Sequence, residues 1–199
     1  DDYNGIVIPG FGLTASQDYT IEFYYWWTGV YSGVIWQQDD GSNLKNWMYL
    51  NKDGDIVTKW NGSTGLNSDG IAGLLIPNSW NHICFEYNSA NTTTAMYVNG
   101  GLLNWTSTGS TWEGPGSGDG LSFGNVGVEQ SSSTTNGCIS NFRVVKGRRV
   151  YQGGLGEAGF QPPSGPLENV SGTYLLCAKD PTDPLGYEVA PAATLATIG

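Results

Sequence analysis

An alternation of side chains along residues 19–27 constrains the fold more than any other feature of this chain. In an extended chain, successive side chains point to opposite faces, so odd and even positions separate. The even face carries Thr20, Glu22, Tyr24 and Trp26, and the odd face carries five large side chains, namely Tyr19, Ile21, Phe23, Tyr25 and Trp27. This period of two predicts a β-strand whose odd face lines a hydrophobic core.

Several later segments repeat the strand pattern and are joined by turn sequences. Strands are predicted over 32–36, 47–51, 56–60, 80–87 and 96–98, and again over 174–177. Asp53-Gly54 predicts a hairpin turn between 47–51 and 56–60. Asn99-Gly100 suits the two positive φ angles of a type I′ turn after the strand that ends at Val98.

The stretch from Gly137 to Leu167 combines an irregular strand with a long connection. Phe142 and Val144 share one strand face, whereas Ile139 is out of step with them by one residue, so we expect a β-bulge between them. Gly147 then suits a turn. The residues from 153 to 166 hold so many Gly and Pro that neither a helix nor a central strand is expected there.

Composition agrees with an all-β fold and excludes two classes of partner. The 199 residues include 30 Gly, 8 Trp and 11 Tyr but only 13% charged residues, which is typical of many short strands joined by tight turns. The formal net charge of −10 gives no attraction to nucleic acid or to an anionic membrane. We also expect no membrane insertion, because no apolar run is long enough to span a bilayer.

Four sequence blocks, taken in order, resemble the framework of laminin-G-like domains. They are Tyr-Thr-Ile-Glu-Phe at 19–23, Trp-x-His-Ile at 80–83, Tyr-Val-Asn-Gly at 97–100 and Ile-Ser-Asn-Phe-Arg-Val-Val-Lys-Gly at 139–147. The last block, with Val150-Tyr151 and the 160–167 stretch, is similar to the closing segment of such domains in bacteriophage virion proteins. The resemblance implies a concanavalin A-like jelly roll, a sandwich of two curved antiparallel sheets whose last strand returns beside the first.

The resemblance also suggests a division of the chain. Residues 1–179 are expected to form the laminin-G-like domain, and residues 180–199 a C-terminal tail that carries Pro181, Pro184 and Pro191. Composition alone favours a flexible linker. The alternative is an ordered arm that rests on its own sandwich or on a neighbouring subunit.

No catalytic residues are predicted. Glycosidases of this fold carry their carboxylates at alternate positions of one strand, but here Glu22 and Glu86 are each isolated within a strand. His82, the only histidine, has no recognisable partner motif for nucleophilic catalysis. Three cysteines, at 84, 138 and 177, allow at most one disulfide.

A calcium site is left open, and no other cofactor is predicted. Residues 51–55 begin like an EF-hand loop, but Ile56 and Gly62 stand where the motif needs Gly and Glu. Four residues in predicted loops are candidate oxygen ligands instead, although such carboxylates are usually only solvated: Asp39, Asp40, Asn43 and Asp119.

The aromatic residues outside the core pattern are the candidate binding residues. Flat aromatic faces beside polar side chains suit the C–H face and the hydroxyls of a sugar ring. Six residues are candidates: Tyr24 and Trp26 on the even face of the first predicted strand, and Trp47, Trp60, Trp105 and Trp112 near predicted turns. The same residues suit a core or a subunit interface equally well.

The leading functional interpretation follows from the resemblance. It implies a non-enzymatic phage structural protein, a capsid decoration, fibre or tail appendage that assembles as a homo-oligomer or with other virion proteins and binds host cell-surface glycans. The alternative is a carbohydrate-binding module of a secreted or cell-surface adhesin, and a glycosidase is the third. Either of the first two places the chain on a virion surface or outside a cell.

Overall fold

The fold is known from a computed structural model. It describes residues 5–8, 12–14, 16–29, 33–39, 44–50, 54–60, 63–67, 74–106, 120–123, 137–152, 159–180, 182, 187–189 and 196–198. Within these ranges every regular element is a β-strand, and the strands form two antiparallel sheets of seven strands each. The all-β prediction is confirmed.

The first sheet contains the strand nearest the N-terminus. In spatial order its strands are β14 (Ala196–Ile198), β1 (Gly5–Ile8), β10 (Gly120–Phe123), β3 (Gly33–Asp39), β4 (Leu44–Leu50), β5 (Ile56–Trp60) and β6 (Ser63–Asn67). Gly5 pairs with Ile198, so β14 lies beside β1. This is the return of the last strand to the first that the resemblance implies.

The second sheet contains the strand with the strongest alternation. In spatial order its strands are β13 (Tyr187–Val189), β12 (Thr173–Cys177), β11 (Gly137–Lys146), β2 (Tyr19–Trp27), β7 (Ser79–Asn88), β8 (Thr93–Val98) and β9 (Gly101–Thr106). β2 is central and pairs with β7 on one side and with β11 on the other. Both partners are distant in sequence.

The inner faces of the two sheets share one hydrophobic core. The odd face of β2 is buried throughout, with each of its five side chains at most 5% exposed. Tyr19 stacks on Tyr87 at 5.0 Å, and the first sheet contributes Met48 and Leu50 to the same core. The prediction that the odd face of residues 19–27 lines the core is confirmed.

The predicted turns and the bulge are present. Gly54, between β4 and β5, has a φ of 85°, and Asn99 and Gly100, between β8 and β9, have φ values of 50° and 80°. The β2–β11 register shifts between Ser140 and Arg143, and Asn141 at that point has a φ of 54°. This bulge places both Phe142 and Val144 in the core.

The strand ends on either side of the β3–β4 connection differ from the prediction. Asp39 was expected in a loop, but it is the last residue of β3 and pairs with Leu44 and with Gly120. Trp47 was expected near a turn, but it lies in the middle of β4, opposite Gln37. The strand prediction stopped short because residues 37–39 and residues 45 and 46 are polar, whereas backbone pairing with β10 and β4 extends the ladder past them.

Two short strands lie within residues 180–199. β13 pairs with β12 at the edge of the second sheet, and β14 pairs with β1 at the edge of the first. Described residues of this segment therefore rest on the domain's own sheets, while the boundary at residue 179 stays a prediction.

All three cysteines are free thiols; Cys84 and Cys177 are buried and Cys138 is exposed. In the described part of the chain, no helix combines the length and the apolarity required to cross a bilayer.

Candidate functional site

The outer face of the second sheet carries an ordered set of cross-strand rows. The even residues of β2 point away from the core, and antiparallel pairing places a residue of β7 and one of β11 beside each. From one end to the other, these rows are Val145-Thr20-Glu86, Arg143-Glu22-Cys84, Ser140-Tyr24-His82 and Cys138-Trp26-Trp80. The first two rows are buried, whereas the last contains two exposed residues.

The connection between β11 and β12 covers the buried rows. We call its described residues, 147–152 and 159–172, the covering segment. Val150 N–H donates to Thr20 Oγ1 at 2.9 Å, and Tyr151 N–H donates to Glu86 Oε1 at 2.7 Å. Glu86 is only 1% exposed, so these hydrogen bonds are formed away from water.

A buried ion pair lies at the centre of the covered rows. Arg143 Nε donates to Glu22 Oε1 at 2.9 Å, and its Nη2 donates to the same oxygen. Nη1 donates to the Glu168 backbone oxygen of the covering segment. Glu22 is 0% exposed and Arg143 3%, so Arg143 bridges the sheet and its cover.

Two further donors saturate the second oxygen of Glu22. His82 Nε2 lies 2.9 Å from Oε2, and the Tyr151 hydroxyl donates to Oε2 at 2.6 Å. Burial alone would raise the pKa of Glu22, but these hydrogen bonds and the Arg143 charge outweigh it and hold that pKa below its ordinary value. Glu22 is therefore a fixed carboxylate that accepts bonds from three side chains.

Contacts between aromatic rings hold the covering segment against the sheet. Tyr151 and Phe160 stack at 3.8 Å with an interplanar angle of 3°, and Phe160 packs edge-on against Tyr97 at 5.1 Å. Phe160 N–H donates to the Gly100 oxygen at 2.8 Å. A Cβ on Gly100 would come within 2.0 Å of the Phe160 oxygen, so this close approach requires glycine.

The structure adds a buried polar cluster around Glu22, Glu86 and His82 that the sequence did not predict. Glu22 is hydrogen-bonded to His82, and both Glu22 and Glu86 accept hydrogen bonds from Tyr151 of the covering segment. Sequence reasoning missed the cluster because its members are separated by 60 to 129 residues. The available signal was charged residues at mid-strand positions in a chain where only 13% of residues are charged.

A cleft opens where the covering segment leaves the last rows uncovered. It has a volume of about 340 Å³ and is lined by Tyr24, Trp80, Ser140, Asn141 and residues 163–166. The Tyr24 hydroxyl lies 2.8 Å from the Pro163 oxygen and 3.2 Å from that of Gly165, and donates to this wall. Leu167 N–H donates to Asn141 Oδ1 at 2.9 Å, which fixes the wall from its other end.

Trp80 is the most accessible aromatic surface beside the cleft. It is 45% exposed, and its ring meets that of Trp26 edge-on, with centroids 5.7 Å apart at 75°. The pair arises because Trp26 and Trp80 are direct cross-strand partners. Trp80 was not among the candidate residues; the available signal was its even position on the predicted strand 80–87, on the face opposite Ile83, Phe85 and Tyr87.

The structure brings two of the predicted aromatic residues together and separates another from them. Tyr24 and Trp26 lie on the outer face beside the cleft, whereas Trp47 lies on β4 of the first sheet, 6.0 Å from Tyr49. Trp60 ends β5 and Trp105 lies in β9, but their side chains lie outside the described part of the structure. Trp112 lies entirely outside it.

The calcium candidates also fall mainly outside the described residues. Asp40, Asn43 and Asp119 are not described, and only the backbone of Asp39 is. Among the described side chains, no group of three or more His, Cys, Asp and Glu is placed to hold a metal ion. The calcium prediction therefore stays a prediction.

Three solved structures share the fold at low sequence identity. A predicted carbohydrate-binding protein from Bacteroides ovatus superposes with a TM-score of 0.54 at 17% identity, covering 99% of this chain and 58% of that one. A heptameric SAP-like pentraxin from Limulus polyphemus gives 0.51 at 16% identity, covering 72% and 70%. Mouse laminin alpha1 domains LG4-5 give 0.51 at 12% identity, covering 71% and 39%.

Sequence comparison gives the family. No curated protein sequence matches the chain. The profile of one family does match, over residues 1–150, which is three quarters of the chain. By its sequence and by its two-sheet fold, the chain belongs to the Laminin_G_3 family of the concanavalin A-like lectin/glucanase superfamily.

Proposed function

We propose that this chain is a non-enzymatic carbohydrate-binding domain displayed on a bacteriophage virion, as a capsid decoration, fibre or tail appendage. The observation that carries the glycan-binding part is the cleft lined by Tyr24 and Trp80, whose indole packs edge-on against Trp26. A half-exposed indole beside hydroxyl, amide and carbonyl groups is the surface on which a sugar ring stacks. The fold neighbour from Bacteroides ovatus, itself predicted to bind carbohydrate, supports the same reading.

The placement of the carboxylates supports a binding role without catalysis. A glycosidase needs an acid and a second carboxylate that both reach the sugar. Glu22 and Glu86 are at most 1% exposed and are held by hydrogen bonds beneath the covering segment. Neither lines the cleft.

The virion assignment is supported by the sequence blocks that resemble phage domains. A virion protein is repeated many times, so assembly into a homo-oligomer or with other virion proteins belongs to this proposal. Light scattering at two protein concentrations tests it directly. A monomer at both concentrations would favour the alternative, a carbohydrate-binding module of a secreted or cell-surface adhesin with the same cleft.

Glycan binding is tested by comparing two tryptophan variants on a glycan array and by titration calorimetry. Trp80→Ala is expected to weaken binding of the best array ligand about tenfold, equivalent to roughly 1.4 kcal/mol. Trp47→Ala is the matched control, because it removes a partly exposed tryptophan from the other sheet. Equal losses in the two variants, or an array without any bound glycan, would contradict the proposal.

A further inference from the structure

We infer that the cleft selects uncharged sugars and rejects glycans that carry a carboxylate or sulfate at the bound residue. This inference rests on the proposed function and names the ligand class of the same site. The observation behind it is a juxtaposition: an exposed indole faces a wall whose described side chains are all uncharged.

The lining groups are neutral hydrogen-bond donors and acceptors. The Tyr24 hydroxyl donates to the wall, Asn141 Nδ2 donates to Ser140 Oγ at 2.8 Å, and Ser140 Oγ donates to the Ala178 oxygen at 3.2 Å. These contacts use three donor hydrogens within the protein, and the hydroxyl and carbonyl oxygens of the lining keep lone pairs that can accept. A sugar hydroxyl can donate to these oxygens and accept from the remaining neutral donors, whereas an ionised carboxylate only accepts and meets no positive charge in the lining.

The cation on the adjoining β11 is not available to an anionic ligand. Arg143 is 3% exposed and directs its described donors to Glu22 and to the Glu168 oxygen. Bidentate arginine is the usual partner for carboxylate or sulfate groups. An acid entering the cleft would therefore lose its water without gaining an ion pair, which is unfavourable.

The negative charge of the chain outside the cleft also disfavours anionic glycans. The chain carries a formal charge of −10, with only 8 Lys and Arg. Glu168, an exposed residue, follows the wall residues 163–166 by two positions. Approach of a polyanionic glycan is therefore electrostatically disfavoured, most strongly at low ionic strength.

The size of the cleft limits the ligand to a short segment. Its volume of about 340 Å³ lies at the lower end of the range for small-molecule sites. It suits a terminal mono- or disaccharide unit stacked on Trp80.

The test is a panel of matched sugars on one array, each neutral sugar paired with its acidic counterpart: galactose with galacturonic acid, glucose with glucuronic acid, and lactose with sialyllactose. We expect at least one neutral member to bind, and its acidic counterpart to bind at least tenfold more weakly. Equal or tighter binding of the acidic member overturns the selectivity while leaving glycan binding intact. Absence of binding to every member of this panel and to a broad neutral glycan array overturns the proposed function itself.

A variant that adds one positive charge tests whether the cleft lining sets this preference. Ser164→Lys adds a cation to the exposed wall, and Ala90→Lys adds the same charge in the distant β7–β8 turn. Ser164→Lys is expected to strengthen binding of the acidic sugars at least threefold, in a manner that added salt abolishes, while Ala90→Lys leaves it unchanged. Equal gains in both variants would assign the preference to net charge and overturn the role of the lining.

Discussion

The outer face of the second sheet is covered at one end and open at the other. At one end, the rows that contain Thr20 and Glu22 lie beneath the covering segment, and their polar groups are bonded and dry. At the other end, the row that contains Trp26 and Trp80 is open and aromatic. The strands are the same and only the cover differs. The polar residues Thr20 and Glu22 thus bind the covering segment, whereas Trp26 and its partner Trp80 stay uncovered.

The sharpest test of this contrast uses the thiols, because Cys84 lies in a covered row and Cys138 in the open one. Burial raises the pKa of Cys84 well above its ordinary value, with the charges of Glu22 and Glu86 adding to the effect, and burial raises that of Cys177 to about 12. We expect Cys138 to react with an aromatic disulfide reagent on the order of 10³-fold faster than either. Reaction of two or three thiols at one rate in the native protein would contradict the covered arrangement, and Cys138→Ser should remove the fast phase.

The second test removes the bridge between sheet and cover. Arg143→Ala leaves Glu22 buried without its cation and is expected to lower the free energy of unfolding in urea by about 3–5 kcal/mol. Arg148→Ala is the control, since that side chain is exposed and should change the free energy by less than about 0.5 kcal/mol. Similar losses in both variants would mean that the buried pair does not hold the covering segment.

The third test compares two glycines that have the same φ angle. Gly100 and Gly147 both have a φ of 80°, but a Cβ on Gly100 would meet the covering segment, whereas one on Gly147 would meet nothing within 4 Å. Gly147→Ala should cost about 1–2 kcal/mol for the backbone strain alone. Gly100→Ala should cost a further ~1–3 kcal/mol by displacing Phe160, and equal costs by urea unfolding would argue against a close fit there.

The fourth test measures how the contribution of Glu22 to the free energy of unfolding changes with pH. Because the folded pKa of Glu22 lies below its ordinary value of 4.5, the unfolded state binds a proton first as the pH falls, and stability is lost. The contribution is fully present above about pH 4.5 and disappears as the pH drops through the folded pKa. Glu22→Gln should flatten this part of the curve of unfolding free energy against pH, and an unchanged slope would contradict the assignment.

The smallest expected effect lies at the boundary between the two ends. Tyr24→Phe removes the hydroxyl that holds the cleft wall and should lower the free energy of unfolding by about 1 kcal/mol. The same variant should also weaken glycan binding, because the wall at 163–166 loses a tether. Unchanged stability together with unchanged binding would show that the wall is held by other contacts.

Local signals made much of the fold predictable. The alternation of residues 19–27, the turns at Gly54 and Asn99-Gly100, and the bulge after Ile139 are each encoded within ten residues and were predicted. The extension of β3 to Asp39 was not, because pairing with β10 and β4, rather than the polar residues themselves, sets that boundary.

Only part of the candidate site was predicted, because the rest depends on pairing between strands that are distant in sequence. Tyr24 and Trp26 follow from strand alternation alone, since the even face of β2 is read directly from the sequence. Trp80 requires the β2–β7 register, and the Glu22–Arg143 pair requires a contact across 121 residues. A period-two pattern shows which side chains share a face, but not which part of that face a distant connection will cover.

The central position of β2 also bears on how the protein is made. The neighbour β11 is synthesised about 110 residues after β2, a delay on the order of 10 s on the ribosome. During that interval an aromatic strand edge has no partner and is prone to pair with other chains. A chaperone that shields this edge should therefore raise the yield of native protein more than any stabilisation of the finished sandwich, whereas slowed translation, which lengthens the interval, should lower it.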